Sequence, residues 1–462
     1  MSKRTGNNRS GFISKSLTII LVAAALLLQS PFTTNAHGQK PNIVFILSDN
    51  QRWDFMGCAG HPFVKTPGMD RLAEEGVLFS NAFVTTAICS PSRASFLTGQ
   101  YAHTHGVTKN ITVWNNDNVT FLELLKKAGY DTSFIGKWHM PGRLPELRGV
   151  DQFVTFTIEK GQGRYVNCPL IVDGVEKPSR KPYITEELTD YAIEFMEKPR
   201  KNPFCIYLSH KAVHHRWIPP PDMADLYSDE TPPFPREYNP FNFSTNGYMF
   251  EGMGFTQGFP TKLYRNYSRT VTALDREIGR LLKRIDELDL SDNTIVIFAG
   301  DNGFFWGEHQ LAGTGRWAYE ESIRIPFIVR APGYMDQPGR KANQMILNID
   351  LAPTLLEIAG VPIPGTMEGE SFLPILRASS ASGRQAWLYE YFKDFPYRPP
   401  TMHGVRTNTH MYIEYQESRE PELYNIVNDP RQLDNLMGRP EGKTLSKKMK
   451  IMLEELKKGE QG

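Results

Sequence analysis

Four short polar clusters in this sequence carry groups suited to holding a cation or an anion. Ser48-Asp49-Asn50 and Asp301-Asn302-Gly303 supply carboxylate and amide oxygens, while Lys137-Trp138-His139 and His210 to His214 supply an ammonium and imidazoles. A fifth stretch, "AICSPSRASFLTG" from Ala87 to Gly99, sets the Cys89 thiol and the Arg93 guanidinium just before an apolar run. Oxygen-only donor sets suit hard cations, Ca²⁺ or Mg²⁺, rather than zinc. Taken singly, each Asp-Asn pair is an ordinary turn cap. In the fifth stretch Pro91 fits the first helical position, Cys89 or Ser90 the cap, and Gly99 the stop. A helix N-terminus offers free N–H groups and partial positive charge, and Arg93 adds a planar donor fork. The stretch reads as an anion pocket with a sulfur atom at its edge; the plain alternative is a helix start with a stray cysteine.

The elements that must carry these groups are legible too. Each of the four polar clusters ends a β-branched and aromatic run: "NIVFILSDN", "DTSFIGKWH", "FCIYLSHKAVH" and "NTIVIFAGDNG". Apolar runs of this kind suit strands buried on both faces of a parallel sheet. Helical periodicity over Thr120 to Ala128 and Val271 to Leu288 alternates with them. The pattern predicts a doubly wound α/β fold, whose ligands bind beyond the carboxyl ends of the strands. All four clusters sit at such ends, so convergence on one site is expected. Residues 212–262, rich in Pro, Gly and aromatics, read as a functional loop insertion, the plain alternative being that its aromatics merely pack the loop. "RASSASGR" at Arg377 to Arg384 marks a boundary. It divides a catalytic domain, residues 37–378, from a smaller C-terminal α+β subdomain, residues 379–462.

Whole-chain properties narrow the classes. The 462 residues carry 52 Lys+Arg against 51 Asp+Glu, so no global field recruits nucleic acid. Lys3, Arg4, Arg9 and Lys15 precede the apolar run Leu17 to Leu28, and Thr34-Asn35-Ala36 offers a cleavage site. Residues 1–36 therefore read as a signal peptide, which predicts export to the periplasm or beyond and no stable membrane span in the mature chain. Four cysteines, Cys58, Cys89, Cys168 and Cys205, do not make a disulfide scaffold.

"CSPSRAS" from Cys89 resembles the signature of the type I sulfatases, in which the cysteine becomes Cα-formylglycine (3-oxoalanine). "SDNQRWD", "GKWH", "KAVH", "FAGDNG" and "YEESIRIPFIVRAPG" resemble the other sulfatase blocks, in order. The resemblance implies an alkaline-phosphatase-like fold, a mostly parallel sheet with helices on both faces. It implies an exported sulfatase, a sulfuric ester hydrolase, acting on a sulfated glycan, with a formylglycine-generating maturation enzyme as partner. By position, Cys89 is the formylglycine, and Asp49, Asn50, Asp301, Asn302 and modified Cys89 hold Ca²⁺ or Mg²⁺. Arg93 holds the hydrate, Lys137, His139 and His214 bind sulfate, and a protonated histidine assists the leaving alcohol. His403 and Arg406 are expected at the substrate rim. Two positions depart from the pattern. Asn50 stands where a second aspartate is usual, and Gly315 stands where a sulfate-binding lysine is expected. Arg316 is its expected substitute, unless it pairs with Glu320 or Glu321. A phosphate or phosphonate ester hydrolase, and a sulfated-glycan-binding protein lacking full activity, are the alternative readings.

Overall fold

The computed structural model describes residues 39–142, 144, 148–233, 235, 261–395, 397, 399–417 and 419–459. The expected signal peptide and most of the 212–262 insertion lie outside these residues. From Lys40 on, the described chain forms one compact unit. Its strands are β1 (Asn42–Ser48), β2 (Val77–Phe83), β3 (Asp131–Gly136), β4 (Gln152–Thr155), β5 (Leu170–Val172), β6 (Val175–Lys177), β7 (Phe204–Ser209), β8 (Thr294–Gly300), β9 (Phe304–Trp306), β10 (Ala312–Thr314), β11 (Phe327–Arg330), β12 (Arg340–Leu347), β13 (Ala386–Tyr391), β14 (Met402–Thr407), β15 (His410–Tyr415) and β16 (Glu422–Asn425).

The main sheet has ten strands in the order β12-β2-β11-β8-β1-β7-β3-β4-β5-β6. The neighbours β8, β1, β7, β3 and β4 run parallel, while β11, β5 and β6 run against their neighbours. Both faces of the central strands are buried. Ile43, Phe45 and Leu47 of β1 enter one apolar core, and Val44 and Ile46 enter the other. This is why the strand reads as an unbroken apolar run rather than an alternating one. A separate antiparallel sheet, β13-β14-β15-β16, follows toward the C-terminus, and the Pro440–Gly459 helix packs on it.

Register brings the polar clusters level. Leu47 of β1 pairs with Ser209 of β7, Ser209 pairs with Gly136 of β3, and Ser48 pairs with Gly300 of β8. The next residues of all four strands therefore leave the sheet along one edge, within a residue of each other. Gly136 is required for that fit: its φ is +108°, and a Cβ there would lie 1.8 Å from the Ser209 carbonyl oxygen.

The helix Cys89–Thr98 sits over the same edge with all ten residues buried. It ends at Gly99, whose left-handed backbone lets its N–H close on the Ser95 carbonyl at 2.9 Å. Its start differs from expectation. Ile88, without a capping side chain, precedes the helix, and Cys89 is the first helical residue. The Asn110 side chain instead takes the Ser90 N–H at 3.0 Å. The helix predicted from Val271 begins at Thr261, and its first turns bury Tyr264 and Tyr267 in line with Val271 and Leu274. Thr120 caps Phe121–Lys127 by accepting from the Glu123 N–H.

Candidate active site

The four strand ends and the helix start do meet. Cys89 Sγ lies 3.6 Å from Asp49 Oδ1 and 3.7 Å from Asn50 Oδ1, and burial pushes its thiol pKa far up. The unmodified sulfur is thus a neutral thiol, unsuited to attack as a thiolate. Arg93, one turn on, is fully buried and fully used. Its Nε and Nη2 donate to Asp301 Oδ2 at 3.0 and 2.8 Å. Its Nη1 donates to Ser209 Oγ at 2.5 Å and to the Lys137 carbonyl at 3.1 Å. Arg93 therefore ties three strand ends to the helix. Lys137 Nζ donates to Asp49 Oδ2 and, at 2.7 Å, to Gln162 Oε1.

The two buried carboxylates differ. Burial drives both upward, but Lys137 and Arg93 hold Asp49 below its ordinary value. Asp301 is pushed up to about 6 by burial and by the Asp49 charge. Asp301 Oδ1 also accepts the Asn50 N–H at 2.8 Å. Asn302 Nδ2 donates to Asn50 Oδ1 at 2.8 Å, which leaves Asn302 Oδ1 buried with no hydrogen-bond partner among the described residues. Asp49, Cys89 and His214 present ligand atoms within 4.8 Å of one another. Two carboxylates and an orphaned buried carbonyl oxygen fit a hard divalent cation, which would relieve the repulsion between Asp49 and Asp301.

Gln162, absent from the sequence reading, completes the cluster. A lysine ammonium only donates, so the amide atom facing Lys137 is the oxygen. The amide nitrogen then faces His139 Nε2 at 2.6 Å and donates to it. His139 must therefore carry its proton on Nδ1, which stands 3.4 Å from Ser90 Oγ. His214 is held likewise, with Nδ1 donating to the His215 carbonyl at 2.6 Å. Burial keeps both imidazoles neutral, with Lys137 adding to the effect on His139 and His215 on His214. The protonated histidine expected from the sequence is thus not the resting form. Asn50, His139 and Arg316 all take left-handed backbone, at φ of 58°, 59° and 74°. Such residues cluster where a site over-determines them.

The remaining predicted residues are held elsewhere. The Arg316 guanidinium lies 3.5 Å from the Tyr397 ring centroid, and its Nη2 is 3.7 Å from Asp394 Oδ2. Glu320 instead takes Arg406 Nε at 2.9 Å, and Glu321 stands 3.6 Å from His309. That buried pair commits Arg406 to joining β14 to the segment before β11 rather than to a substrate rim. His403 sits half-buried on β14 opposite Glu390 and Glu414. Gly315 is no simple vacancy for a lysine: with φ +38°, its Cβ would lie 1.9 Å from the Ala87 carbonyl oxygen. All four cysteines are free thiols.

Residues 41–361 match the family described as Sulfatase, and residues 307–459 match the family described as N-sulphoglucosamine sulphohydrolase, C-terminal. The chain belongs to the sulfatase family. It is 31% identical to an N-acetylglucosamine-6-O-sulfatase of Bacteroides thetaiotaomicron over 96% of this chain and 91% of that one. It is also 31% identical to an ulvan-active sulfatase of Formosa agariphila, over 90% of this chain and 80% of that one. A solved structure, a complex with its substrate D-glucosamine-2-N,6-O-disulfate, superposes with a TM-score of 0.82 at 30% identity. It covers 92% of this chain and 98% of that one. The α/β sheet with its smaller C-terminal sheet is thus the sulfatase, alkaline-phosphatase-like architecture. The protein is a sulfatase, a sulfuric ester hydrolase. Among the described residues no helix is long and apolar enough to cross a membrane.

Proposed function

We propose that this sulfatase is exported, that it hydrolyses a sulfate ester of an amino-sugar-containing glycan, and that Cys89 is matured to formylglycine. One observation carries the reading: Cys89 stands at the start of a buried helix against Asp49 and Asn50. In that place a thiol does no packing that another small residue would not do. A formylglycine there supplies a hydrated aldehyde with two hydroxyls, one to attack sulfur and one to release sulfate afterwards. Asp49, Asn50, Asp301 and Asn302 would hold a divalent cation, Ca²⁺ in the first instance, which would supply electrostatic stabilisation of the charge that develops on the sulfate ester.

The chain's own groups do the rest. Arg93 orients Asp301 and fixes the carboxyl ends of β3 and β7. Lys137, His139 and Gln162 surround the place where the sulfonyl oxygens would lie. His139 Nε2 and His214 Nε2 both begin as lone pairs, so the proton for the leaving alcohol must be taken up as the anion seats. The amino-sugar assignment rests on the matches named above, in which the sulfated sugar is a glucosamine derivative.

Mass analysis of the tryptic peptide Leu72–Arg93 is the decisive experiment: it should carry an aldehyde in place of the Cys89 thiol. The purified protein should also release sulfate from N-acetylglucosamine 6-sulfate, and aryl sulfate turnover should exceed that of the matching phosphate and phosphonate esters. An unmodified thiol after co-expression with a maturation enzyme would overturn the reading. A protein that binds the sulfated sugar without turnover would favour the binding-protein alternative.

A further inference from the structure

The last helix, Pro440–Gly459, spends its apolar side on the C-terminal sheet, where Met449 and Leu453 are buried and Leu445, Met452 and Leu456 pack against the core. Its other side is cationic. The helix carries six lysines against three glutamates, in a chain whose net charge is only +1. Lys443, Lys447, Lys450 and Lys458 are exposed and follow one another at steps of four, three and eight residues, which sets them in a row along one face. By the same periodicity Glu441, Lys448 and Glu455 lie to one side of that row. Lys450 reaches Glu414 at 3.2 Å, and Lys457 takes Glu454 at 3.3 Å. The ammonium groups of Lys443, Lys447 and Lys458 have no hydrogen-bond or ion-pair partner among the described residues. The long helix Thr261–Glu287 differs, because its Arg276, Arg280, Lys283 and Arg284 each face a carboxylate. Like charges three and four residues apart disfavour a helix, and an opposing polyanion would relieve that cost. The row spans about 22 Å at the rise of an α-helix. A membrane surface would need an apolar strip beside the lysines. Here the apolar strip is already covered, and Ile451 is the one large apolar side chain the helix exposes. A sulfated polysaccharide needs only cations set along a line.

We propose that this lysine row is a second binding site for the sulfated glycan, outside the catalytic cluster, and that it holds sulfate groups along the polymer while one end of the chain is processed. The inference rests on the sulfated-glycan reading given above. A monosaccharide ester offers a single sulfate, which the catalytic cluster takes, so the row contributes only on longer chains. There, tethering raises the effective concentration of the chain end at the cluster.

Full-length Cys89→Ala protein, which leaves the polymer intact, is compared with its Lys443→Gln/Lys447→Gln/Lys458→Gln variant for binding of heparin at several NaCl concentrations. At low salt the variant should bind roughly 10-fold or more weakly, and its slope of log affinity against log salt should be shallower by about two to three, near one per charge removed. A second variant, Lys65→Gln/Lys177→Gln/Lys201→Gln, removes the same charge from exposed positions outside the helix and should keep most of the heparin affinity. Equal losses in the two variants overturn the proposal, as do an unchanged affinity and slope in the first. In the matured enzyme the helix substitutions should raise KM several-fold for a sulfated oligosaccharide ending in N-acetylglucosamine 6-sulfate. They should leave kcat, and turnover of N-acetylglucosamine 6-sulfate itself, unchanged; equal losses on both substrates count against the row. Binding of phosphatidylserine vesicles that is lost with the same lysines, with heparin binding intact, would assign the face to a membrane and overturn the proposal. If no sulfate ester is turned over while the heparin difference persists, the catalytic reading fails and the row stands.

Discussion

Restoring a lysine at Gly315 will damage this protein rather than strengthen its sulfate clamp. Gly315 has φ +38°, and a Cβ built on it falls 1.9 Å from the Ala87 carbonyl oxygen and 3.0 Å from its carbon. The same carbonyl accepts the Arg316 N–H at 2.8 Å, so the two strands of chain are already tied together. An ordinary contact would require them to part by roughly 1.5 Å in a close-packed interior. The left-handed conformation costs a non-glycine residue about 1 kcal/mol, and overpacking adds roughly 1–3 kcal/mol. Gly315→Ala and Gly315→Lys should therefore each lose about 2–4 kcal/mol, a large part of a normal stability margin. Ala87 is also two residues from Cys89, so activity should fall even where the fold survives. Urea unfolding at equilibrium reads the first effect as a lower midpoint with an unchanged slope. For the same reason Gly315→Lys should fail to rescue Arg316→Ala. A midpoint equal to that of the native protein in both variants would refute the argument.

Other consequences are directly measurable. Cys89→Ser should fold normally but stall after one transfer as a stable sulfate ester; sustained multiple turnover would sink the two-hydroxyl argument. Asn50→Asp adds a charge beside Asp49 and Asp301 and should tighten Ca²⁺ binding roughly tenfold in a chelator competition, because affinity follows the charge of the ligand set. Gln162→Ala removes the donor that fixes His139, so nitrogen NMR of labelled histidine should show the Nδ1–H form giving way to a mixture, with turnover down roughly tenfold. Burial holds His105 and His210 down to about 3, so each binds fewer protons in the folded chain than in the unfolded one below pH 6.5. Their contribution to stability should be flat above that pH and fall by on the order of 2 kcal/mol per histidine by pH 5, while Asp275 and Asp301, held up to about 7 and about 6, act in the opposite direction. His105→Gln and His210→Gln should therefore each lose less Tm than the native protein between pH 7 and pH 5, and an equal loss would contradict this.

What could be read from the sequence was whatever a residue declares through its own neighbours. Strands β1, β3, β7 and β8 were legible because burial on both faces removes alternation, and each run stops where its chain leaves the sheet. Their polar ends could be expected to meet, since parallel strands put like ends along one edge. The order of the strands could not, because β12, β2 and β11 reach their places through long crossovers that leave no local mark. Gln162 shows the same limit at the site. It lies in "EKGQG", which reads as a turn, and only the fold sets its amide between Lys137 and His139. Arg316 shows the converse. The sequence offered Glu320 and Glu321 as helical partners one turn away, but the chain between them is not a continuous helix. The fold gives Glu320 to Arg406 and sets Arg316 against Tyr397 and Asp394. Protonation followed the same logic: a histidine beside a future anion looks like an acid in the sequence, whereas dry surroundings and a neighbouring ammonium make His139 neutral. Local pattern thus identifies the groups available for chemistry, and burial together with distant partners decides which state each group starts from.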